Sequence, residues 1–181
     1  MEYLALFVLT ALSAFPDERS IEGKWVALQA PKGGLLAIVF YSSECPISNE
    51  LSPLLIETAK SFPANKVRMV GICVDFDASD ESLRTHAKEH GLNYPCVVDR
   101  SGKLARKFGG AITPEGVVVD DKGKVLYRGR INDIYIARGK RNANPTSRDF
   151  HEAIRLSLDG KLAPTPWPKA VGCPIPEFPA E

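Results

Sequence analysis

The sequence predicts an α/β domain whose central sheet is parallel in its first half and closed by an antiparallel hairpin. Three observations lead there. The apolar runs Leu35 to Tyr41 and Val67 to Asp75 are each followed by a segment of helical spacing, the pattern of buried parallel strands joined by crossover helices. The apolar runs Gly116 to Asp120 and Val125 to Arg130 are joined by Asp121-Lys122-Gly123-Lys124, a polar, glycine-containing turn signal. A final helical pattern opens at Pro145-Thr146-Ser147, with Phe150, Ala153, Ile154 and Leu158 inward. At 181 residues, 44% hydrophobic and 25% charged, the chain can bury a full core in one domain.

The elements follow in order. Leu4 to Ala14 is an apolar run ending in small residues, ahead of Phe15-Pro16 and the charged Asp17-Glu18-Arg19. It resembles a short secretory signal over residues 1–14, with an acid rather than a base in Met1-Glu2-Tyr3, and it implies a periplasmic or secreted protein. The run is too short to span a bilayer core of about 30 Å. No other segment is long and apolar enough to be a transmembrane helix. The domain is expected over residues 15–160 and a proline-rich tail over 161–181. After the first strand, Leu51, Leu54, Leu55, Thr58, Ala59 and Phe62 recur at helical spacing until Pro63. Ser79 to His90 reads as a helix closed by Gly91, Pro95 to Asp99 as a short strand, and Leu104, Ala105 and Phe108 as a short helix before Gly109-Gly110. The tail from Leu162 is expected to run extended over the surface. The 23 basic and 22 acidic residues nearly cancel, so charge gives no reason to expect a nucleic-acid or anionic-membrane surface.

Chemistry concentrates at Cys45, in Ser42-Ser43-Glu44-Cys45-Pro46-Ile47-Ser48-Asn49, where the first buried strand hands over to a helix. Unpaired backbone N–H groups and the positive end of the helix dipole, starting near Pro46, bias a thiol there toward thiolate. The other three cysteines are Cys73, Cys96 and Cys173, too few and too scattered for a disulfide scaffold, and no two of the four are spaced as a zinc-binding pair. Cys73 and Cys96 fall in strand runs and read as core residues. Cys173, in Val171-Gly172-Cys173-Pro174, lies in a tail expected to be mobile enough to reach a distant thiol, so it is the candidate resolving partner. Ser42 and Ser48 read as residues that cap and solvate the helix start.

The element order, with Cys45-Pro46-Ile47-Ser48 after the first core strand and Ile112-Thr113-Pro114 just before the strand at Gly116, resembles the thioredoxin fold. It is most similar to the redoxin branch that includes the peroxiredoxins and the cytochrome-maturation thioredoxins, over roughly Leu35 to Leu158. The resemblance implies a three-layer fold, a cis peptide before Pro114 beside Cys45, and a backbone at Thr113 that orients a bound substrate strand. Two departures follow. A dithiol thioredoxin has a second cysteine where Ser48 stands, so another cysteine or an external thiol must finish the cycle here. The peroxiredoxin pattern wants Thr or Ser three residues before the cysteine, which Ser42 supplies, and Pro seven before, where this chain has Ile38. Its arginine is replaced by Pro114.

The resulting expectation is an extracytoplasmic thiol–disulfide oxidoreductase. Cys45 attacks, Thr113 and Pro114 position the substrate, Ser42, Pro46 and Ser48 support the thiolate, and Cys173 resolves. Its partners would be protein or small-molecule disulfides and an external thiol reductant. The alternatives are a thiol peroxidase acting on hydroperoxides through a sulfenic acid, and a non-catalytic binding module. Copper delivery is disfavoured because the cysteine pair it needs is absent. No cofactor and no metal is expected. His86-Ala87-Lys88-Glu89-His90 matches an inverted zinc-protease pattern, but it sits at the end of a short helix with no third ligand downstream.

Overall fold

The computed structural model describes residues 17–178, so the leader expected over residues 1–14 lies outside the described residues. In chain order the elements are β1 (Glu18–Arg19), β2 (Trp25–Val26), β3 (Leu35–Tyr41), α1 (Pro46–Ser61), β4 (Val67–Cys73), α2 (Asp80–Glu89), β5 (Cys96–Val98) and α3 (Lys103–Phe108). They continue as β6 (Ile112–Thr113), β7 (Glu115–Asp120), β8 (Val125–Gly129), β9 (Tyr135–Ala137), β10 (Lys140–Arg141), α4 (Asp149–Leu158) and β11 (Cys173–Pro174). The central sheet has the order β5-β4-β3-β7-β8. Strands β3, β4 and β5 are parallel, while β7 and β8 run antiparallel to their neighbours.

All seven residues of β3 are buried because both faces of the sheet are covered. Leu35, Ala37, Val39 and Tyr41 face the layer built from α1, α2 and α4, including Leu51, Leu55, Leu83, Phe150 and Ile154. Leu36, Ile38 and Phe40 face the other layer, with Leu104 and Phe108 of α3 and the partly buried Ile175 and Phe178 of the tail. The strand alternation of two thus divides one apolar run between two cores. The antiparallel hairpin β7–β8 closes as its sequence demands, because the Asp120 side chain accepts from the N–H groups of Lys122 and Lys124 and Gly123 adopts φ +81°.

Helix α4 starts at Asp149 rather than at Pro145. The carboxylate of Asp133 accepts from the N–H of Thr146 at 3.0 Å and of Ser147 at 2.9 Å, which holds that stretch as a turn ahead of the helix. The small hairpins β1–β2 and β9–β10 are too short to carry a recognisable period in the sequence. Their strands are only two or three residues long.

Topology determines where chemistry can be placed. Strands β3 and β4 end at the same edge, and β7, running the other way, begins there, so Phe40 pairs with Glu115. The loop after β3, which carries Cys45, is thereby brought against the residues before β7, which include Thr113 and Pro114.

Candidate functional site at the carboxyl edge of the sheet

Cys45 is the N-cap of α1, with φ −82° and ψ 112°, and Pro46 takes the first helical position. Proline suits that position because its missing N–H has no intrahelical partner to lose. Ser42 supports the turn into the helix: its carbonyl accepts from the Cys45 N–H at 3.2 Å and its hydroxyl accepts from the Glu44 N–H at 3.2 Å. The Thr113–Pro114 peptide is cis, and the Cys45 thiol donates to the Thr113 carbonyl at 3.2 Å. Residues far apart in the chain therefore share one site. Cys45 is only 2% exposed.

Cys173 joins this group, though not as the mobile arm the sequence suggests. It lies in β11, which pairs antiparallel with β6 so that Cys173 stands opposite Thr113 and Pro174 opposite Ile112. The Thr113 hydroxyl donates to the Cys173 carbonyl at 3.3 Å, and the Ile175 N–H donates to the Ala111 carbonyl at 2.9 Å. These main-chain bonds hold a proline-rich segment that has no side-chain period of its own. Cys45 and Cys173 are both free thiols, and each shifts the titration of the other.

The pair is electrically asymmetric. Burial works to raise the pKa of Cys45, but the hydrogen bonds that Cys173, the N–H and hydroxyl of Ser48, and Thr113 can offer its thiolate outweigh it, so the thiol titrates below its ordinary value. The Cys173 thiol is pushed up by its hydrogen bond to Cys45, by burial and by the Cys45 charge, with Arg138 opposing. Of the two thiols, Cys45 is therefore the one that gives up its proton more readily. Ser48 is buried, and its hydroxyl has no hydrogen-bond partner. In the neutral site the Cys45 hydrogen points at Thr113 and the sulfur caps no helix N–H. On ionisation, Ser48 turns from an unsatisfied group into a donor to the thiolate. Ser48→Ala is accordingly expected to slow iodoacetamide alkylation of Cys45 at neutral pH by about tenfold and to move its pH profile upward, since a hydrogen bond to a charged group contributes about 1.5–3 kcal/mol. An unchanged profile in a folded variant would remove Ser48 from the site.

The remaining cysteines are unsuited to this chemistry. Cys73 is fully buried, and burial together with the neighbouring Asp75 charge holds its pKa far above the ordinary value. Cys96 is pushed up to about 12, chiefly by burial.

Sequence reasoning missed the residues that hold the Cys45 loop. The Asp75 carboxylate accepts from the Ser43 N–H at 2.7 Å and from its hydroxyl at 2.6 Å. The Asn49 side-chain amide donates to the Ser43 carbonyl at 2.8 Å, and its oxygen lies 2.8 Å from His86 Nε2. His86 thus braces the loop, and among the described residues no three His, Cys, Asp or Glu side chains form a metal-ligating group. Behind Pro114, the buried Glu115 carboxylate accepts from the Ala111 N–H at 2.9 Å and fixes the turn into β6. Hairpin β9–β10 is tied to α1 at Glu50 by Arg141, 2.6 Å from its carboxylate, and by the Tyr135 hydroxyl, which donates to the same carboxylate.

Comparisons with known proteins bear on this arrangement. The chain is 24% identical over 106 residues to the thiol-disulfide oxidoreductase ResA of Bacillus thuringiensis subsp. konkukian, covering 59% of this chain and 60% of ResA. The chain thus spans less than two thirds of the length of that curated relative. Among solved structures, an uncharacterized conserved protein from Geobacillus kaustophilus superposes with a TM-score of 0.74 at 23% identity, covering 93% of this chain and 92% of that one. StoA from Bacillus subtilis superposes with a TM-score of 0.55 at 22% identity, over 64% of this chain and 88% of its own. These neighbours have the thioredoxin-like fold expected from the sequence. Residues 10–128 match the AhpC/TSA family, a span that takes in Cys45, Thr113 and Pro114 and stops well short of Cys173. By that match over more than half its length, the chain belongs to the AhpC/TSA family.

Proposed function

We propose that the protein is a thiol–disulfide oxidoreductase in which Cys45 attacks and Cys173 resolves. The observation that carries the reading is the convergence of two free thiols on Thr113: Cys45, of lowered pKa at a helix start, donates to the Thr113 carbonyl, and Cys173, of raised pKa, is paired opposite Thr113. The resemblance to ResA, named a thiol-disulfide oxidoreductase, supports the same class.

The cycle balances with two thiols. The Cys45 thiolate attacks one sulfur of a substrate disulfide, forming a mixed disulfide and expelling the other sulfur as a thiolate that takes up a proton. Cys173 then loses its proton and attacks the Cys45 sulfur. The Cys45–Cys173 bond forms, the second substrate thiol leaves, the substrate is reduced by two electrons and the protein is oxidised by two. An external thiol reductant resets the pair. Substrates on this reading are protein or small-molecule disulfides, and the leader-like residues 1–14 support a reaction outside the cytoplasm. Disulfides are preferred over hydroperoxides because the groups that most strongly lower the Cys45 pKa are Cys173, Ser48 and Thr113, none of them a cation.

The test is Cys173→Ser. With a disulfide substrate and no added reductant, this variant is expected to accumulate a covalent adduct on Cys45, visible by intact mass, and in the presence of reductant its turnover falls by about tenfold or more. Normal turnover without adduct would remove Cys173 from the mechanism. Rapid consumption of hydrogen peroxide with no exchange on disulfides would replace the proposed reaction by a peroxidase.

A further inference from the structure

We propose that the chain's own segment Val171 to Ile175 is the resident occupant of the edge of β6, that an extended polypeptide reaches Cys45 along this edge only by displacing it, so that partner and tail occupy the edge in turn, and that the register admits only a partner with glycine immediately before its cysteine. The inference rests on Cys45 being the attacking thiol.

The tail crosses the site as a strap anchored on both sides. On one side Trp167 packs on Tyr127 with ring centroids 6.0 Å apart, and the Pro168 carbonyl accepts from the Arg130 N–H at 3.0 Å. On the other, Phe178 lies 5.7 Å from the Phe76 ring and against Gly102. Between them the strap fills the strand position beside Ile112 and Thr113. An incoming strand that brought its own sulfur to Cys45 in this register would need the same main-chain groups on Ala111 and Thr113. Only one strand can pair with that edge at a time.

The occupied register also selects sequence. A Cβ placed on Gly172 would stand 1.9 Å from the Thr113 oxygen, the same oxygen that accepts from the Cys45 thiol. That oxygen cannot retreat without giving up the thiol contact and the β6 geometry fixed by Glu115. Gly172 itself has an ordinary backbone conformation, since its φ is not among the positive values. The glycine is needed for close approach, and a partner strand in the same register meets the same limit.

The probe is a synthetic peptide with the sequence of positions 169 to 176, its cysteine activated as a mixed disulfide with thionitrobenzoate, and a second peptide with alanine in place of the glycine. In full-length protein carrying Cys173→Ser, the Cys45 thiolate attacks the peptide sulfur; a Cys45–peptide disulfide forms and thionitrobenzoate leaves with the electron pair. Two further substitutions weaken the strap. Gly172→Ala forces it from Thr113, and Phe178→Ala releases its far anchor.

Each is expected to raise the rate with the glycine peptide, Gly172→Ala by about tenfold or more, because the open fraction sets the apparent affinity. The alanine peptide is expected to react about tenfold more slowly than the glycine peptide in every variant. Equal rates across variants that keep the far-UV spectrum and melting temperature would overturn the competition, and equal rates for the two peptides would overturn the selection. If Gly172→Ala does not fold, Phe178→Ala decides. The reaction class is scored separately with the small aromatic disulfide 5,5′-dithiobis(2-nitrobenzoate). No thiolate release from it, even with the strap weakened, sinks the oxidoreductase reading. The strap is then read by maleimide alkylation of Cys45, which needs a thiol but no disulfide exchange.

Discussion

Cys45→Ser is expected to abolish disulfide exchange, a loss of at least about 10³-fold that leaves only the background of the reductant. The hydroxyl fits the space of the thiol and can still donate to Thr113, so the fold and the strap should survive. What disappears is the nucleophile, because Ser48 and the helix start lower the pKa of a thiol into a useful range but leave an alcohol protonated. No other cysteine can substitute. Cys73 and Cys96 are buried and held protonated, and Cys173 without its partner loses the only thiol within its reach. The measurement is reduction of a model disulfide by wild type and variant at equal concentration, with thiol mapping by mass. Retention of even a tenth of the wild-type rate would mean that another thiol carries the reaction.

The distribution of roles along the chain gives this loss its significance. The family match supplies Cys45 and the Thr113-Pro114 turn, while the second thiol comes from a segment beyond residue 128. On the proposed reading, the redox pair is assembled from the amino end of α1 and the tail rather than from two positions within one helical turn. Ser48, where a dithiol thioredoxin has its second cysteine, serves the thiolate instead.

Much of this was legible in the sequence because the signals were local. The buried run of β3, the turn Asp121-Lys122-Gly123-Lys124 and the helical spacing of α1 each express a preference within a few residues, and each element appears where that preference puts it. Cys45 and Thr113-Pro114 could be brought together on paper only through the family resemblance. The strap could not be read. Strands β6 and β11 have two residues each and carry no period, and their pairing joins positions about sixty residues apart. The role of Gly172 depends on the Thr113 oxygen that stands against it, which no neighbour in the sequence announces. Asp75 and Asn49 escaped for a related reason. Their contacts with Ser43 depend on β3 and β4 ending side by side, which no spacing within the loop can express.

Phe150→Ala is expected to produce the largest loss of stability from a single core truncation, about 3–5 kcal/mol. Phe150 is 0% exposed and lies in the first turn of α4, where its ring rests on the sheet over Gly116. A Cβ on Gly116 would stand 2.4 Å from Phe150 Cδ2, so the glycine creates the space that the ring fills. Tyr127 borders the ring on the β8 side, and the Phe150 N–H donates to the Ile131 carbonyl at 3.1 Å. The surrounding backbone is thus fixed by its own bonds and cannot collapse into the cavity, which puts the penalty toward the upper end of the range. Leu162→Ala, at a side chain 70% exposed, is the control and should change stability by less than about 0.5 kcal/mol. Urea unfolding checks both, with a fall in midpoint at constant slope for Phe150→Ala. Gly116 follows Glu115 and Pro114 directly, so loosening α4 also loosens the turn against which Cys45 is held. Faster alkylation of Cys45 in Phe150→Ala under native conditions would register that coupling. A stability loss below about 1 kcal/mol would show that the sheet repacks over Gly116 and that α4 is not what holds this end of β7.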